Sequence, residues 1–137
     1  MSFNLLAMQQ GLLARLVDAG IPDAVLGAFD QIDVTDESGK TFAAQIAFLS
    51  LDPSGQAGRS AAHAAAWSFD LLVDTARASD AEKQAAMTLF SDAMAALVGW
   101  EIQPGAQLRI SEGRKTGFDG RVVGISFGFT VPVYLAG

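Results

Sequence analysis

The chain ends in a stretch whose large and small side chains alternate with a period of two. In GRVVGISFGFTVPVYLAG the odd positions are large and apolar, whereas the even positions of the first half are small. A period of two is typical of a β-strand with two different faces. The sequence therefore predicts a strand over Arg121–Tyr134 with one face in the core. The apolar positions are Val123, Ile125, Phe127, Phe129, Val131 and Val133, and the small positions are Gly124, Ser126, Gly128 and Thr130.

Two other segments repeat their apolar residues with helical spacing. The first is predicted to begin with Ser2 as its N-cap and to end at Gly20, because a helix C-terminus favours a residue with positive φ. The second opens with the capping box Ser79-Asp80-Ala81-Glu82 and runs to about Val98, before Gly99. The apolar residues at helical spacing in the first helix are Leu5, Leu6, Leu12, Leu13, Leu16 and Val17, and the predicted buried stripe of the second is Met87, Phe90, Met94, Leu97 and Val98.

The remaining apolar runs predict further strands. Phe42–Leu51 has apolar residues on both faces, which is typical of a central strand. His63–Thr75 alternates, so its odd positions should face the core, although its alanine-rich start is expected to be irregular. Two shorter strands are expected near Gln31–Thr35 and over Gln107–Ser111, the latter with Leu108 and Ile110 inward. Loops are expected over Asp36–Gly39, Asp52–Arg59 and Glu112–Gly120, the last as a polar hairpin loop.

This order of elements predicts a single α+β domain over residues 1–137. The connections between sequential strands are too short for parallel crossovers, except across the second helix. The expected fold is a four- to five-stranded, mainly antiparallel (mixed) sheet packed against two helices on one face. The odd face of the last strand should meet those helices. Its small even face accepts close approach of a neighbouring subunit, a second layer of the same chain, or water.

Composition narrows the classes of function. The chain has 137 residues, no cysteine and a formal net charge of −6. It therefore has no disulfide, no thiolate metal site and no general attraction to nucleic-acid backbone. We expect neither a secretory leader nor a membrane span, because no apolar run has the required length and flanks.

The charge is unevenly distributed along the chain. Four basic residues lie within thirteen positions near the C-terminus, whereas the first forty residues are acidic. A chain with one acidic and one basic region can attract copies of itself. The basic residues are Arg109, Arg114, Lys115 and Arg121, and the acidic ones are Asp18, Asp23, Asp30, Asp33, Asp36 and Glu37.

Candidate catalytic groups do not converge in the sequence. His63 is the only histidine and lies among alanines on a core face, where a structural role is favoured. Asp70 and Asp74 are about 13 Å apart along a strand, too far to share a metal or a proton, and are expected to be solvated. The acidic segment DQIDVTDE lacks the order of a calcium loop, and the glycines of SGQAG and EGRKTGFDG fit no phosphate-binding loop. The sequence therefore favours a protein that is not an enzyme and needs no cofactor or metal.

Aromatic residues near the basic segment admit two interpretations. Phe118 lies between cations in GRKTGFDGR, a pattern that can stack on nucleic-acid bases. An ordinary exposed hairpin loop is favoured over any functional role. If the segment has a role, a protein partner is favoured over nucleic acid, because the chain as a whole is acidic. Trp100, after the second helix, is expected to anchor the core.

The layout of the whole chain resembles the tail terminator or tail completion proteins of long-tailed bacteriophages, the family of the lambda-type minor tail protein U. The resemblance lies in the leading helix LLAMQQGLLARLVDAGI, the strand FAAQIAFLSL with its loop DPSGQAGRS, and the strand AAWSFDLLVDTA. It continues through the capped helix SDAEKQAAMTLFSDAMAALVG and the hairpin QLRISEGRKTGFDGRVVGISFGFTVPVYL. It is a likeness of element order rather than of a residue motif. Prophages and gene-transfer particles carry similar proteins.

The resemblance implies an assembly function. Members of that family form a hexameric ring that caps the tail tube, stops its growth and joins it to the head connector. The expected partners are other copies of the chain, the tail tube protein and the connector, with no membrane and no sequence-specific nucleic acid. The expected location is the virion tail, assembled in the bacterial host cytoplasm. The candidate subunit or tube interface is Arg114, Lys115, Phe118, Arg121, Gly124, Ser126 and Gly128.

Three other interpretations remain open at this point. One is another neck or tail component, such as a head-closure or tube protein. A second is a monomeric α+β module that binds a small molecule or peptide in a pocket lined by Trp67, Phe69 and Met94. The third is an enzyme whose site includes His63 or a pair of acids.

Overall fold

A computed structural model describes residues 4–27, 40–53 and 61–135. The predicted strand near Gln31–Thr35, the turn at Asp36–Gly39 and most of the loop after Asp52 lie outside these residues. The helices are α1 (Leu5–Asp18) and α2 (Asp80–Leu97), with a 3₁₀ turn at Asp23–Val25. The strands are β1 (Leu26–Gly27), β2 (Phe42–Pro53), β3 (Ala61–Asp74), β4 (Glu101–Gln103), β5 (Ala106–Gln107), β6 (Arg109–Asp119) and β7 (Val122–Leu135).

Five strands form one sheet in the order β1-β2-β3-β7-β6, and β4 with β5 forms a separate small hairpin. All neighbours in the large sheet are antiparallel except β1 and β2, which are parallel. Residues of both helices belong to one core cluster with the odd face of β3 and β7. The predicted α+β class, with a mainly antiparallel sheet and helices on one face, is therefore confirmed.

The core is built around an aromatic cluster. Phe127 lies 5.4 Å from Phe69 in a stacked arrangement and 5.3 Å from Phe90 of α2 in an edge-to-face one, measured between ring centroids. Phe129 lies 6.1 Å from Phe127 along the same strand. These contacts join α2 to the two central strands, as the odd-face alternation of the last strand predicts. Trp100 is half-buried and packs against this core, beneath the guanidinium of Arg15 at 5.3 Å.

The helix ends follow the local sequence with one correction. The capping box of α2 is present, since the Ser79 hydroxyl accepts from the Glu82 N–H and the Glu82 carboxylate accepts from the Ser79 N–H. Gly20 and Gly99 both have positive φ, as their places after the helices predict. The N-cap of α1 is Asn4 and not Ser2, because the Asn4 side chain accepts from the Ala7 N–H at 2.9 Å.

The buried face of α2 agrees with the prediction at Phe90 and Leu97, and Met94 packs partly buried against the core, but two predicted positions differ. Met87 and Val98 are exposed, and alanines occupy the contact positions instead. Small side chains let the helix lie close to the sheet, so the buried face is rotated by about one position from the stripe that the large residues mark. The buried residues of α2 are Ala86, Leu89, Phe90, Ala93, Ala96 and Leu97.

One strand prediction is confirmed and two need correction. β2 lies between β1 and β3, as its apolar residues on both faces predict, and the described pairing with β1 joins Leu26 and Gly27 to Ala44 and Gln45. The alanine-rich start of β3 is regular, because it pairs with β7 from Ala61↔Leu135 onward. At the start of β6, Leu108 is buried as expected, but Ile110 is 37% exposed.

The largest error concerns Glu112–Gly120, which is a strand and not a loop. The segment pairs with β7 down to Asp119↔Val122, so the hairpin turn consists only of Gly120 and Arg121. Gly120 has φ +60°, and a glycine with positive φ at the first of two central positions is characteristic of a type II′ turn. β7 would otherwise leave the backbone groups along one edge without strand partners, and pairing with this polar segment satisfies them.

Candidate interface

The structure places the predicted basic residues along an outer strand of the sheet. Arg114, Lys115 and Phe118 belong to β6, which pairs with β7 on one side and with no described strand on the other. Lys115 is opposite Ser126, and Phe118 is opposite Val123. The side chains of these three residues lie outside what the structure describes. Their shared strand places them along one edge of the sheet rather than on a loop.

Arg121 has an internal partner that the sequence analysis missed. Its Nε lies 3.0 Å from Oδ2 of Asp74, a carboxylate with no exposed surface, while the Arg121 side chain itself is 47% exposed. The carbonyl of Arg121 also accepts from the N–H and hydroxyl of Thr75, at 3.0 and 2.7 Å. Arg121 therefore fixes the β6–β7 turn to the end of β3, and its exposed half remains on the surface.

Asp74 is the centre of a buried ionic cluster. Arg77 Nε donates to its Oδ2 at 2.9 Å, and the N–H groups of Ala76 and Arg77 donate to its Oδ1 at 3.1 and 3.2 Å. Arg77 Nη2 also donates to the carbonyl of Lys40 at 2.8 Å. The cluster joins the starts of β2 and α2 to the β6–β7 turn. The expectation that Asp74 is a solvated carboxylate is therefore wrong, because a buried carboxylate needs these donors.

Hydrogen bonds lower the pKa of two carboxyl groups in this region. Burial raises the pKa of Asp74, but hydrogen bonds from the Arg77 side chain and from the Arg77 and Ala76 backbone, together with the charge of Arg121, hold it below its usual value of 3.8. The Ser79 N–H and the Thr41 hydroxyl donate to Glu82 and hold its pKa below 4.5.

We expect the stability of the fold to decrease at acid pH for this reason. A carboxyl group whose pKa is lower in the folded state stabilises the fold above its unfolded pKa, and this stabilisation is lost as the pH falls through the folded value. The urea concentration at the unfolding midpoint should therefore not change with pH near pH 7, and it should fall progressively below about pH 4. In Asp74→Asn/Glu82→Gln the midpoint should be lower at pH 7 and should change less with acid. An equal acid slope in this variant and the wild type would contradict the assignment.

The small-residue face of β7 lies away from the helices and continues onto β3. Gly124, Ser126 and Gly128 are directly opposite Leu72, Asp70 and Ser68. A Cβ atom on Gly124 would meet the Leu72 side chain at 3.3 Å, so one reason for this glycine is internal packing.

The centre of the same face is polar. Oδ2 of Asp70 accepts from Gln45 at 3.1 Å and from Ser68 at 3.2 Å. Both described helices pack on the opposite side. The described part of this face thus combines small residues on β7 with a polar middle, which suits contact with another protein surface.

The described residues show no constellation for catalysis. His63 is half-buried on β3, and within residues 4–27, 40–53 and 61–135 no three His, Cys, Asp or Glu side chains form a metal site. In the same ranges, Trp67 Nε1 is the only buried side-chain polar atom without a hydrogen-bond partner. The segment DQIDVTDE lies outside them. None of the helices in this part of the chain is long and apolar enough to cross a membrane.

The structure contains a groove of about 510 Å³, but this groove is not the pocket predicted at Trp67, Phe69 and Met94. Trp67 and Phe69 are packed inside the core. The groove runs instead between the segment Gly20–Val25, Phe42 and the outer side of α2, where Asp92 is the charged side chain among its described lining residues.

Among the described residues, the fold is an α+β one with both helices on one face of the sheet and with β1 and β6 as its outer strands. The chain is similar to a chain of the virion of a native gene transfer agent particle, with a TM-score of 0.62 and 17% sequence identity. The match covers 97% of this chain and 99% of that chain. At this identity the match shows a shared fold. No family model matches the chain, and no curated protein matches it in sequence.

Proposed function

We propose that this protein is a non-enzymatic structural component of a phage-like particle, and more narrowly its tail terminator. In this role it forms a ring, expected to be a hexamer, that caps the tail tube, stops its growth and joins it to the head connector. The observation that carries the proposal is the end-to-end likeness to a chain of a gene transfer agent virion. The element order of the sequence supports the same class independently.

The geometry is suited to this function. A ring protein needs a head-to-tail contact between unlike surfaces, and a terminator also needs separate surfaces for the tube and the connector. The sheet offers two different outer strands for the first contact. Its helix-free face, which includes Gly124, Ser126 and Gly128, offers a surface for the tube or the connector. The working location of the protein is then the tail of the virion, after assembly in the bacterial host cytoplasm.

The proposal predicts a specific mass in solution. Six copies of a 14.3 kDa chain weigh about 86 kDa, so light scattering on a sizing column should approach this value as the concentration rises. Electron microscopy of the same fraction should show rings with a central opening. Open filaments of indefinite length would contradict a closed ring.

A second measurement tests the capping activity itself. Tubes polymerised from the tube protein of the same particle should be shorter when this protein is present. A small fraction of the tube subunit concentration should suffice, because one ring per tube end blocks further addition. Tube length that does not change at any ratio would contradict the terminator function, whatever the mass in solution.

The groove beside α2 favours one alternative, a monomeric module that binds a small molecule or peptide. A volume of about 510 Å³ is within the range of ligand sites. This alternative predicts a monomer at every concentration and a melting temperature that rises with a bound ligand. A ring that shortens tubes would exclude it as the main function.

A further inference from the structure

One apolar row crosses the whole width of the antiparallel sheet at a single level. In the strand register, Phe48 of β2 is opposite Trp67 of β3, Trp67 is opposite Phe129 of β7, and Phe129 is opposite Ile110 of β6. The four side chains share the core face. The Phe48 and Trp67 rings are 5.3 Å apart in an edge-to-face contact. The row is continuous within one chain, and at this level β2 and β6 each have a described neighbouring strand on one side only.

The two ends of this row are exposed, whereas its middle is not. Trp67 and Phe129 are 1% and 0% exposed, but Phe48 and Ile110 are each 37% exposed, and Leu49 beside Phe48 is 59% exposed. Single exposed apolar residues are common on protein surfaces. Here, however, the exposed residues lie at the same level on opposite edges, at the two ends of one packed row.

A pair of opposite charges lies near the two ends on the other face of the sheet. Asp52 of β2 and Arg109 of β6 are both exposed. They are opposite Ala64 and Thr130 respectively, which belong to the helix-free face. The β2 edge therefore combines apolar residues with an acid, and the β6 edge combines an apolar residue with a base.

We infer that the β2 edge of one copy binds the β6 edge of the next. Phe48 and Leu49 meet Ile110 of the neighbour on the core side of the sheet, and Asp52 meets Arg109 on the other side. The inference rests on the proposed ring and names its subunit contact. Because the two patches lie at the same level, a repeated contact need not shift the copies along the strand direction, which is compatible with the closed ring of the proposed function.

Side chains, rather than backbone pairing, are expected to make this contact. The pairing of β6 with β7 shifts register twice, between Ile110 and Glu112 and between Glu112 and Lys115. Irregular, charged outer strands disfavour pairing with another strand edge. Beyond the two positions that pair with β1, β2 runs from Ile46 to Pro53, which is about 26 Å. With a sheet-plus-helix thickness of roughly 20 Å, this edge offers on the order of 500 Å², so each contact is smaller than the ~800 Å² per partner of a stable interface and depends on the closed ring.

Cysteine cross-linking tests the contact directly, because the chain has no cysteine of its own. The test variant is Leu49→Cys/Ile110→Cys. Within one chain these positions are separated by three strand spacings, about 14 Å, which is beyond the ~7 Å limit for the Cα atoms of a disulfide. A disulfide between them can therefore form only between copies. Mild oxidation of the purified protein should produce a ladder that extends past the dimer to about six chains on a denaturing gel.

Control variants separate this contact from random collision. Each single-cysteine variant should form no cross-linked species larger than a dimer. Val98→Cys/Ile110→Cys pairs the same β6 position with an apolar residue of α2 that is 50% exposed, and it should give no extended ladder. If the wild type forms rings but the test variant gives no ladder beyond that of the control, the contact is wrong and the ring remains. If the wild type and the test variant are both monomeric and the test variant forms no ladder, this contact is overturned. The tube-length measurement then still decides the proposed function.

Discussion

Replacing Phe127 with alanine should lower the free energy of unfolding by about 3–5 kcal/mol, the usual cost of removing a buried aromatic side chain. We expect the upper part of this range, because the ring contacts Phe69 of β3 and Phe90 of α2 as well as Phe129. Each aromatic pair adds about 0.5–1.5 kcal/mol beyond the area it buries. The cavity would also lie between the sheet and α2, where neither layer can collapse without moving the other.

Chemical denaturation at neutral pH measures this loss, with Met87→Ala as the matched control. Met87 is large and apolar and lies on α2, and the hydrophobic pattern predicts it to be buried, but it is 40% exposed. Its replacement should change the free energy of unfolding by no more than about 0.5 kcal/mol. Similar losses in the two variants would show that α2 is rotated toward the face that the pattern predicts. The pair of variants therefore also tests the orientation of the helix.

The long strands were predictable because each has two chemically different faces. In β3 and β7 the alternation persists over many residues, so a register shift by one position would move every side chain to the opposite face of the sheet. The capping box at Ser79 and the glycines after both helices were equally informative, since each supplies a hydrogen bond or a backbone conformation that the helix end requires.

The errors occur where a partner in space decides the structure. The segment Glu112–Gly120 has the composition of a loop, and only the unpaired edge of β7 makes it a strand. On α2, Phe90 and Leu97 are buried as predicted. Met87 is exposed, because the sheet accepts the helix through Ala86 and Ala93 instead. Both outcomes depend on long-range contacts that local propensity does not contain.

The candidate interface was predictable as a region but not as a set of contacts. The concentration of basic residues identifies the β6–β7 hairpin, and the small residues identify the helix-free face. The role of Asp74 was missed, although Arg77 three residues later was an available signal. The part played by Arg121 was also missed, because its partner lies 47 positions away along the chain.

Reversing the charges of Arg114 and Lys115 should prevent ring formation at concentrations where the wild type assembles. Both residues lie on β6, the strand that we assign to the subunit contact, and each copy that meets this strand carries a net charge of −6. Placing like charges at a contact costs on the order of 1 kcal/mol or more. A hexameric ring repeats the contact six times, so about 6 kcal/mol would be lost from the whole assembly. We expect Arg114→Glu/Lys115→Glu to remain near the monomer mass and to leave tube length unchanged.

A control must separate this local effect from the change in net charge. Lys40→Glu/Lys83→Glu makes the same change, since each reversal adds two negative units to the −6 of the wild type, but it alters residues outside β6. This control should assemble at nearly the wild-type concentration. Raising the salt concentration should partly restore assembly of the β6 variant, because ions screen exposed charges. Rings of normal mass from the β6 variant at low salt would remove Arg114 and Lys115 from the contact and would restrict the basic part of this edge to Arg109.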